Sequence, residues 1–123
     1  DRKAGAALPR LAGGRVDRIT AKDVALACGQ GDPLAARLVE EAGDALVAGA
    51  ASLANAFNPA RLILGGGVVE GLPDLVERVR RGLPERALAT AAQAVEVCRA
   101  KLGGEAGVVG AAAFAFRALV PHQ

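Results

Sequence analysis

The chain has 123 residues, of which 52% are hydrophobic and 23% charged, and its formal net charge is +2. This composition excludes a disordered chain, and the near-neutral charge gives little attraction to nucleic acid or to a membrane surface. Aromatic residues make up only 2%, so few side chains are available to recognise bases or sugars by stacking.

Residue types that bind metals are few and scattered. Cys28 and Cys98 lie 70 positions apart with no CxxC pair, and the single histidine, His122, is next to the C-terminus. We therefore expect two buried, reduced thiols in a cytoplasmic chain, and neither a zinc site nor a disulfide framework.

The longest chargeless stretch, residues 45–60, contains Ser, Asn and Pro and is not expected to span a membrane. The absence of Met, including at position 1, predicts a piece of a longer polypeptide.

The first third of the chain begins with a loop and continues as helix. Residues 1–19 contain two adjacent glycines and no sustained periodicity, which predicts a lead-in loop. Thr20 and Asp23 then have the spacing of a capping box, which predicts a helix over 21–29. Its inward side chains are expected to be Val24, Leu26 and Ala27.

A long helix is predicted next. Asp32-Pro33 supplies an N-cap acceptor followed by a proline at the first helical position, and Asn58-Pro59 ends the helix after Phe57. Apolar residues recur along it at helical spacing, and this face is expected to be buried. The face consists of Leu34, Leu38, Leu46, Ala50, Leu53 and Phe57.

The second half of the chain reads as a βαβ arrangement. The apolar run 61–64 predicts a buried strand of parallel type, and residues 94–98 predict a second strand. A helix opens at Leu72-Pro73-Asp74 between them, and a last helix is expected over 105–119. Two strands make a thin sheet, which suggests further strands outside these residues.

Gly65, Gly66 and Gly67 close the first strand, where ligands bind in open α/β sheets because the backbone can approach them without a Cβ. A nucleotide could lie there, and a tight turn explains the same glycines. The segment is not a Walker A motif, because no Gly-Lys-Ser/Thr follows, and Gly71 comes one residue too late for a dinucleotide fingerprint.

Gly107 and Gly110 would let another helix or a ligand approach the last helix, and helix packing is the simpler interpretation.

His122 is interpreted as part of a mobile tail. Two charged sets are read as solvent-facing, and no residue is predicted to be catalytic or to bind a metal. The sets are Glu40, Glu41 and Asp44, and Arg78, Arg80, Arg81 and Arg86.

In this order and spacing, the motifs resemble the C-terminal part of the ROK family (repressors, open reading frames and kinases), within the sugar-kinase and actin superfamily. The resemblance covers residues 20–120, with 121–123 as a tail. It rests on the helix pair at 20–35, the long helix ending in Asn58-Pro59, the segment 62–68, which is similar to an adenosine motif, and the segment 105–112, which is similar to a connector helix.

The resemblance implies an α/β fold, the C-terminal portion of a ribonuclease H-like (actin-like ATPase) lobe, mostly helical with about two parallel strands. It implies that Gly65, Gly66 and Gly67 contact the adenosine side of ATP, which binds with Mg, and that Gly107 and Gly110 lie at a hinge between two lobes. A sugar substrate and a homodimer are implied as well. No membrane or direct nucleic-acid contact is expected from this segment.

The family's phosphate loop, its catalytic Asp and its His/Cys zinc motif belong upstream and have no counterpart in these residues. The resemblance therefore implies the nucleotide-binding portion of an ATP-dependent hexose kinase of glucokinase type, inactive alone. Two alternatives stay open. The first is the sugar-sensing portion of a ROK transcriptional repressor, and the second is a truncated assembly module without catalysis.

Overall fold

Helices dominate the computed structural model, which describes residues 7–11 and 13–119. The helices are α1 (Ala7–Leu11), α2 (Ala21–Gly29), α3 (Pro33–Phe57), α4 (Gly67–Gly71), α5 (Asp74–Arg86), α6 (Ala89–Ala94) and α7 (Ala106–Leu119). The strands are β1 (Arg61–Leu64) and β2 (Glu96–Arg99), and 3₁₀ turns span Val16–Arg18 and Gly103–Glu105.

Local capping sets the ends of α2 and α3 as the sequence predicts. The backbone N–H of Thr20 donates to Oδ2 of Asp23 at 2.8 Å, and the backbone N–H of Asp23 donates to Oγ1 of Thr20 at 3.3 Å. Oδ1 of Asp32 accepts from the second and third amides of α3. Asn58 ends α3 in the left-handed conformation at φ 42°, which asparagine tolerates better than most residues.

The two strands pair in parallel, with Leu62 opposite Val97, and α4, α5 and α6 form the connection between them. The expectation that β1 is buried is wrong, because none of its four residues is fully buried. Leu62 and Leu64 are half-buried, whereas Ile63 is 66% exposed. Alternate side chains of a strand point to opposite faces, and the described residues cover only one face of this sheet.

The main core lies between α3, α5 and the covered face of the sheet. The predicted inward face of α3 is wrong for four of its residues, because Leu34, Leu38, Leu53 and Phe57 are 40–73% exposed. Leu46 is half-buried against the core, and Ala50 is buried as predicted. The buried face consists of small side chains instead, namely Ala35, Gly43, Val47, Ala50, Ala51 and Ala54. These small residues let α5 approach α3 closely. A large side chain on that face would keep the two helices apart.

Residues 1–19 contain more structure than the predicted loop. Helix α1 packs Leu8, which is 2% exposed, against Ala27 and Ala35 in a second small core. The backbone N–H of Ala7 donates to Oδ2 of Asp32 at 3.1 Å, so the acceptor that caps α3 also holds α1. Leu26, expected to point inward from α2, is 48% exposed, because α1 and α3 contact the opposite side of α2. The predicted tail, 121–123, lies outside the described residues.

Helix α7 forms as predicted, and none of its residues is buried. Its two phenylalanines, Phe114 and Phe116, are 78% and 71% exposed. Among residues 7–11 and 13–119, no helix combines the length and the apolar character needed to cross a bilayer. The fold therefore places a packed α/β unit before a helix whose apolar surface is open.

Candidate functional site

The carboxyl ends of β1 and β2 meet at one edge of the sheet, because the strands are parallel. The backbone N–H of Ala100 donates to the carbonyl oxygen of Leu64 at 2.7 Å and brings the segments that leave the two strands together. A Cβ at Gly65 would lie 2.8 Å from the Cβ of Ala100, closer than real Cβ contacts allow. Gly65 is therefore required by the packing of the chain itself.

The next two glycines differ from Gly65 and from each other. Gly66 has φ +96°, a conformation that favours glycine, and it immediately precedes α4. Gly67, the first residue of α4, has no atom within 4 Å of the position a Cβ would occupy. A tight turn thus explains the first two glycines, whereas the open space in front of Gly67 is available to a ligand.

A cavity of about 800 Å³ lies beside Gly67, between the beginning of α2 and α4. Two of its apolar residues, Leu26 and Val68, come from these two helices, and each is 48% exposed. Its lining consists of Thr20, Ala21, Lys22, Ala25, Leu26, Gly67, Val68, Glu70, Gly71 and Leu72. Apolar walls with a few charged groups are typical of small-molecule sites, and the volume falls within their usual range.

A second cavity, of about 560 Å³, lies at the end of β2 and is lined by Glu70, Arg99, Ala100, Lys101, Gly103 and Gly104. Glu70 therefore lines both cavities. Its Oε1 is 3.2 Å from the position a Cβ would have at Gly103, which has φ +50°. Glu70 was not predicted from the sequence, because it stands in a five-residue helix that is too short to produce a periodic signal. Only its distance of three residues from Gly67 could have indicated it.

Gly107 and Gly110 have no atom within 4 Å of their would-be Cβ positions. The helix packing expected there does not occur among the described residues. Both glycines lie on α7, in which no described residue is buried. Their role at a hinge stays a prediction.

The two charged sets expected to face solvent contact each other. Nη2 of Arg78 lies 2.9 Å from Oδ1 of Asp44 and 4.0 Å from Oε1 of Glu40, and it joins α5 to α3. The hydrogen bond from Arg78 lowers the pKa of the Asp44 carboxyl, and that bond raises the pKa of Arg78 in turn. Nε of Arg80 donates to the carbonyl oxygen of Val97 at 2.9 Å. The solvent-facing interpretation is therefore wrong for Arg78, which is half-buried and links α5 to α3, whereas Arg80 and the three acidic residues are exposed as predicted.

Among the described residues, the cysteines and the side chains that could bind a metal do not cluster. Cys28 and Cys98 are free and half-buried, which corrects the expectation that they are buried. In the part of the chain that the structure describes, no three His, Cys, Asp or Glu side chains come close enough to hold a metal ion. What the described residues bring together is a candidate site, a cavity with backbone at a strand end, apolar walls, Lys22 and the carboxylate of Glu70.

The parallel βαβ unit, with a glycine-rich strand end beside this cavity, places the segment in the α/β class, whose ligands bind at the carboxyl ends of the strands. The sequence pattern of the ROK family matches residues 2–118, and the chain therefore belongs to the ROK family. This confirms the family resemblance. The mostly helical composition and the two parallel strands are confirmed by the structure.

Two curated relatives are glucokinases. The glucokinase of Halalkalibacterium halodurans is 36% identical over 92 residues, which cover 75% of this chain and 28% of that protein. The glucokinase of Streptomyces coelicolor is 33% identical over 103 residues, covering 83% of this chain and 32% of that protein. The chain thus spans about a third of the length of these relatives or less.

Two solved structures have a similar fold. The crystal structure of a ROK family glucokinase from Streptomyces griseus, in complex with glucose and AMPPNP, matches with a TM-score of 0.77 and 35% identity, covering 92% of this chain and 36% of that one. A ROK family transcriptional regulator, a homologue of the E. coli MLC protein, matches with a TM-score of 0.57 and 27% identity, covering 70% of this chain and 22% of that one.

Proposed function

We propose that this chain is the nucleotide-binding C-terminal portion of an ATP-dependent sugar kinase of glucokinase type. The observation that carries the proposal is the open backbone of Gly67 beside the cavity of about 800 Å³ at the end of β1. The similar glucokinase of S. griseus has glucose and an ATP analogue, AMPPNP, in its complex. In this proposal Gly65, Gly66 and Gly67 contact the adenosine side of ATP.

The cavity suits the nucleoside part of ATP. Leu26 and Val68 offer apolar surface for a base, and Gly67 admits the ligand close to the backbone. No three His, Cys, Asp or Glu side chains come together among the described residues, and we assign none of these residues to the magnesium ion that accompanies ATP. Positioning of the nucleotide is a substantial contribution on its own, because phosphoryl transfer depends mainly on alignment and charge stabilisation.

The remaining parts of the proposal concern the complete protein. We place the unit in a ribonuclease H-like (actin-like ATPase) lobe, with Gly107 and Gly110 at the hinge to a second lobe. The open apolar surface of α7 supports a further packing partner for that helix. Sugar binding, a homodimer and a cytoplasmic location belong to the same proposal. Because no general base with a partner is found among residues 7–11 and 13–119, we expect the chain alone not to phosphorylate sugar.

A second candidate is the sugar-sensing portion of a ROK transcriptional repressor, favoured by the similarity to the regulator at a TM-score of 0.57. The kinase is the better choice, because the glucokinase covers more of the chain at higher identity. A non-catalytic assembly module is the third candidate. Ile63, on the open face of the sheet, would then be covered by a partner.

The test is a pair of glycine substitutions in the complete natural polypeptide. Gly67→Val projects a side chain into open space beside the cavity, so it blocks a ligand without straining the fold. Gly49→Val is the matched control, because Gly49 is an exposed glycine of α3 with no atom near its would-be Cβ. Titration with ATP is expected to show at least about tenfold weaker binding for Gly67→Val and unchanged binding for Gly49→Val.

A coupled assay for glucose phosphorylation completes the test. The complete polypeptide is expected to turn over glucose with ATP, and the 123-residue chain alone is not. Nucleotide binding without turnover, together with sugar-dependent binding to DNA, favours the repressor. A folded complete protein that binds no nucleotide contradicts both the kinase proposal and the role of Gly67.

A further inference from the structure

Glu70 is placed to recognise the sugar of a bound nucleotide. We propose that its carboxylate accepts hydrogen bonds from the ribose hydroxyls and makes the site prefer ribonucleotides to deoxyribonucleotides. The inference rests on the proposed nucleotide-binding function, and it adds a residue that determines specificity within that site.

The position of Glu70 is the first argument. Gly67 and Glu70 stand three residues apart on α4 and share one face of that helix, and both line the larger cavity. A nucleoside that lies against Gly67 therefore has its sugar within the reach of the Glu70 carboxylate. The same residue also lines the smaller cavity at the end of β2, so it borders both spaces.

The carboxylate is also free to accept hydrogen bonds. The Glu70 side chain is exposed, and among the described residues its carboxylate makes no hydrogen bond or ion pair. In the linings of these two cavities it is the single acidic residue, whereas the basic residues are three, Lys22, Arg99 and Lys101. Gly103 leaves the space for the carboxylate, because a Cβ there would come within 3.2 Å of Oε1.

The chemistry of a single carboxylate selects the ribose among the parts of a nucleotide. Phosphate groups are anionic and would be repelled, and the apolar walls suit the base. Adjacent hydroxyls are donors that one carboxylate can accept in pairs, and an acidic residue on ribose hydroxyls is a known solution in dinucleotide sites. A hexose substrate also carries adjacent hydroxyls, so the experiment must separate these two ligands.

The experiment compares ATP with 2′-deoxy-ATP and 3′-deoxy-ATP in the complete natural polypeptide. The wild type is expected to bind ATP about ten- to a hundredfold more tightly than at least one of the deoxy analogues, because losing a hydrogen bond to a charged group lowers the affinity by about that factor. In Glu70→Ala this ratio is expected to fall to within about twofold, and in Glu70→Gln to an intermediate value. Glu85→Gln, an exposed glutamate of α5 outside both cavities, is expected to keep the wild-type ratio.

The ratio separates recognition from a structural role, because a damaged fold weakens all three nucleotides equally. ATP binding with an unchanged ratio in Glu70→Ala overturns this inference and leaves the proposed function standing. A loss of glucose affinity with an unchanged nucleotide ratio assigns Glu70 to the hexose and also overturns it. If the wild type binds none of the nucleotides, the proposed function fails, and this inference fails with it.

Discussion

Helices α5 and α7 are nearly equal in length, at 13 and 14 residues, and opposite in environment. Helix α5 is rich in charge, yet it buries Leu75, Val76, Val79 and Leu83. Helix α7 has a single charged residue, Arg117, and buries nothing among the described residues. Apolar composition therefore does not decide burial here. What decides it is whether a complementary surface lies within reach.

That complementary surface is built from glycine and small side chains. A Cβ at Gly82 of α5 would lie 2.8 Å from Cγ1 of Val47 on α3. A Cβ at Gly43 of α3 would collide with the side chain of Arg78 on α5. The two helices thus use one glycine each to approach one another, and Arg78 then closes the contact by pairing with Asp44 at 2.9 Å.

The largest expected effect is the loss of a core side chain from α5. Leu83→Ala removes a side chain that is 2% exposed and is expected to lower the free energy of unfolding by about 2–5 kcal/mol. Phe114→Ala in α7 removes one that is 78% exposed and is expected to change it by no more than about 0.5 kcal/mol. Urea unfolding of the 123-residue chain, followed by far-ultraviolet circular dichroism, measures both. Equal losses would show that α7 is packed.

A smaller effect is expected from filling the contact between α3 and α5. Gly82→Ala places a methyl group 2.8 Å and 3.1 Å from the two Cγ atoms of Val47, which is buried and cannot swing away. We expect a loss of about 1–3 kcal/mol in the free energy of unfolding. Gly49→Ala, on the exposed side of α3, should instead stabilise the chain by about 0.5–1 kcal/mol. A stabilising Gly82→Ala contradicts the close packing.

The smallest effect concerns the second core, where Asp32 holds α1 and caps α3. Hydrogen bonds from the Ala35, Ala7 and Leu34 amides lower the pKa of the Asp32 carboxyl below its ordinary value of 3.8. A carboxyl whose pKa is lower in the folded state stabilises the fold above the unfolded pKa, and this contribution is lost as the pH falls through the folded pKa. We expect the urea midpoint to fall less between about pH 6 and about pH 2.5 in Asp32→Asn than in the wild type. Equal pH dependence would remove Asp32 from this role.

Local signals could be predicted from the sequence, because they depend on neighbouring residues. The pair Thr20 and Asp23 marked the start of α2, and Asn58 marked the end of α3. Both strands were found within two residues of their positions. The strands and the order of the long helices therefore followed from patterns a few residues wide.

Features that depend on contacts between residues far apart in the sequence could not be predicted. Leu34 and Phe57 mark a helical stripe as regular as a buried one, yet the small residues face the core because α5 fits only against them. The cavity also needs two elements, because Leu26 and Glu70 are 44 positions apart in the chain and line it together. A motif of glycines indicates where a site lies, but the residues that surround it come from the packing.

All three phenylalanines of the chain, Phe57, Phe114 and Phe116, are more than 70% exposed, and there is no Tyr or Trp. No aromatic side chain is thus buried among the described residues, and folding alone gives the rings no fixed, asymmetric surroundings. Ultraviolet signals from these rings should stay nearly silent when the isolated chain folds. The same signals should appear when a neighbouring surface covers α7 or the end of α3. The aromatic residues therefore report docking, and the peptide backbone reports folding, so the two events can be followed separately in one sample.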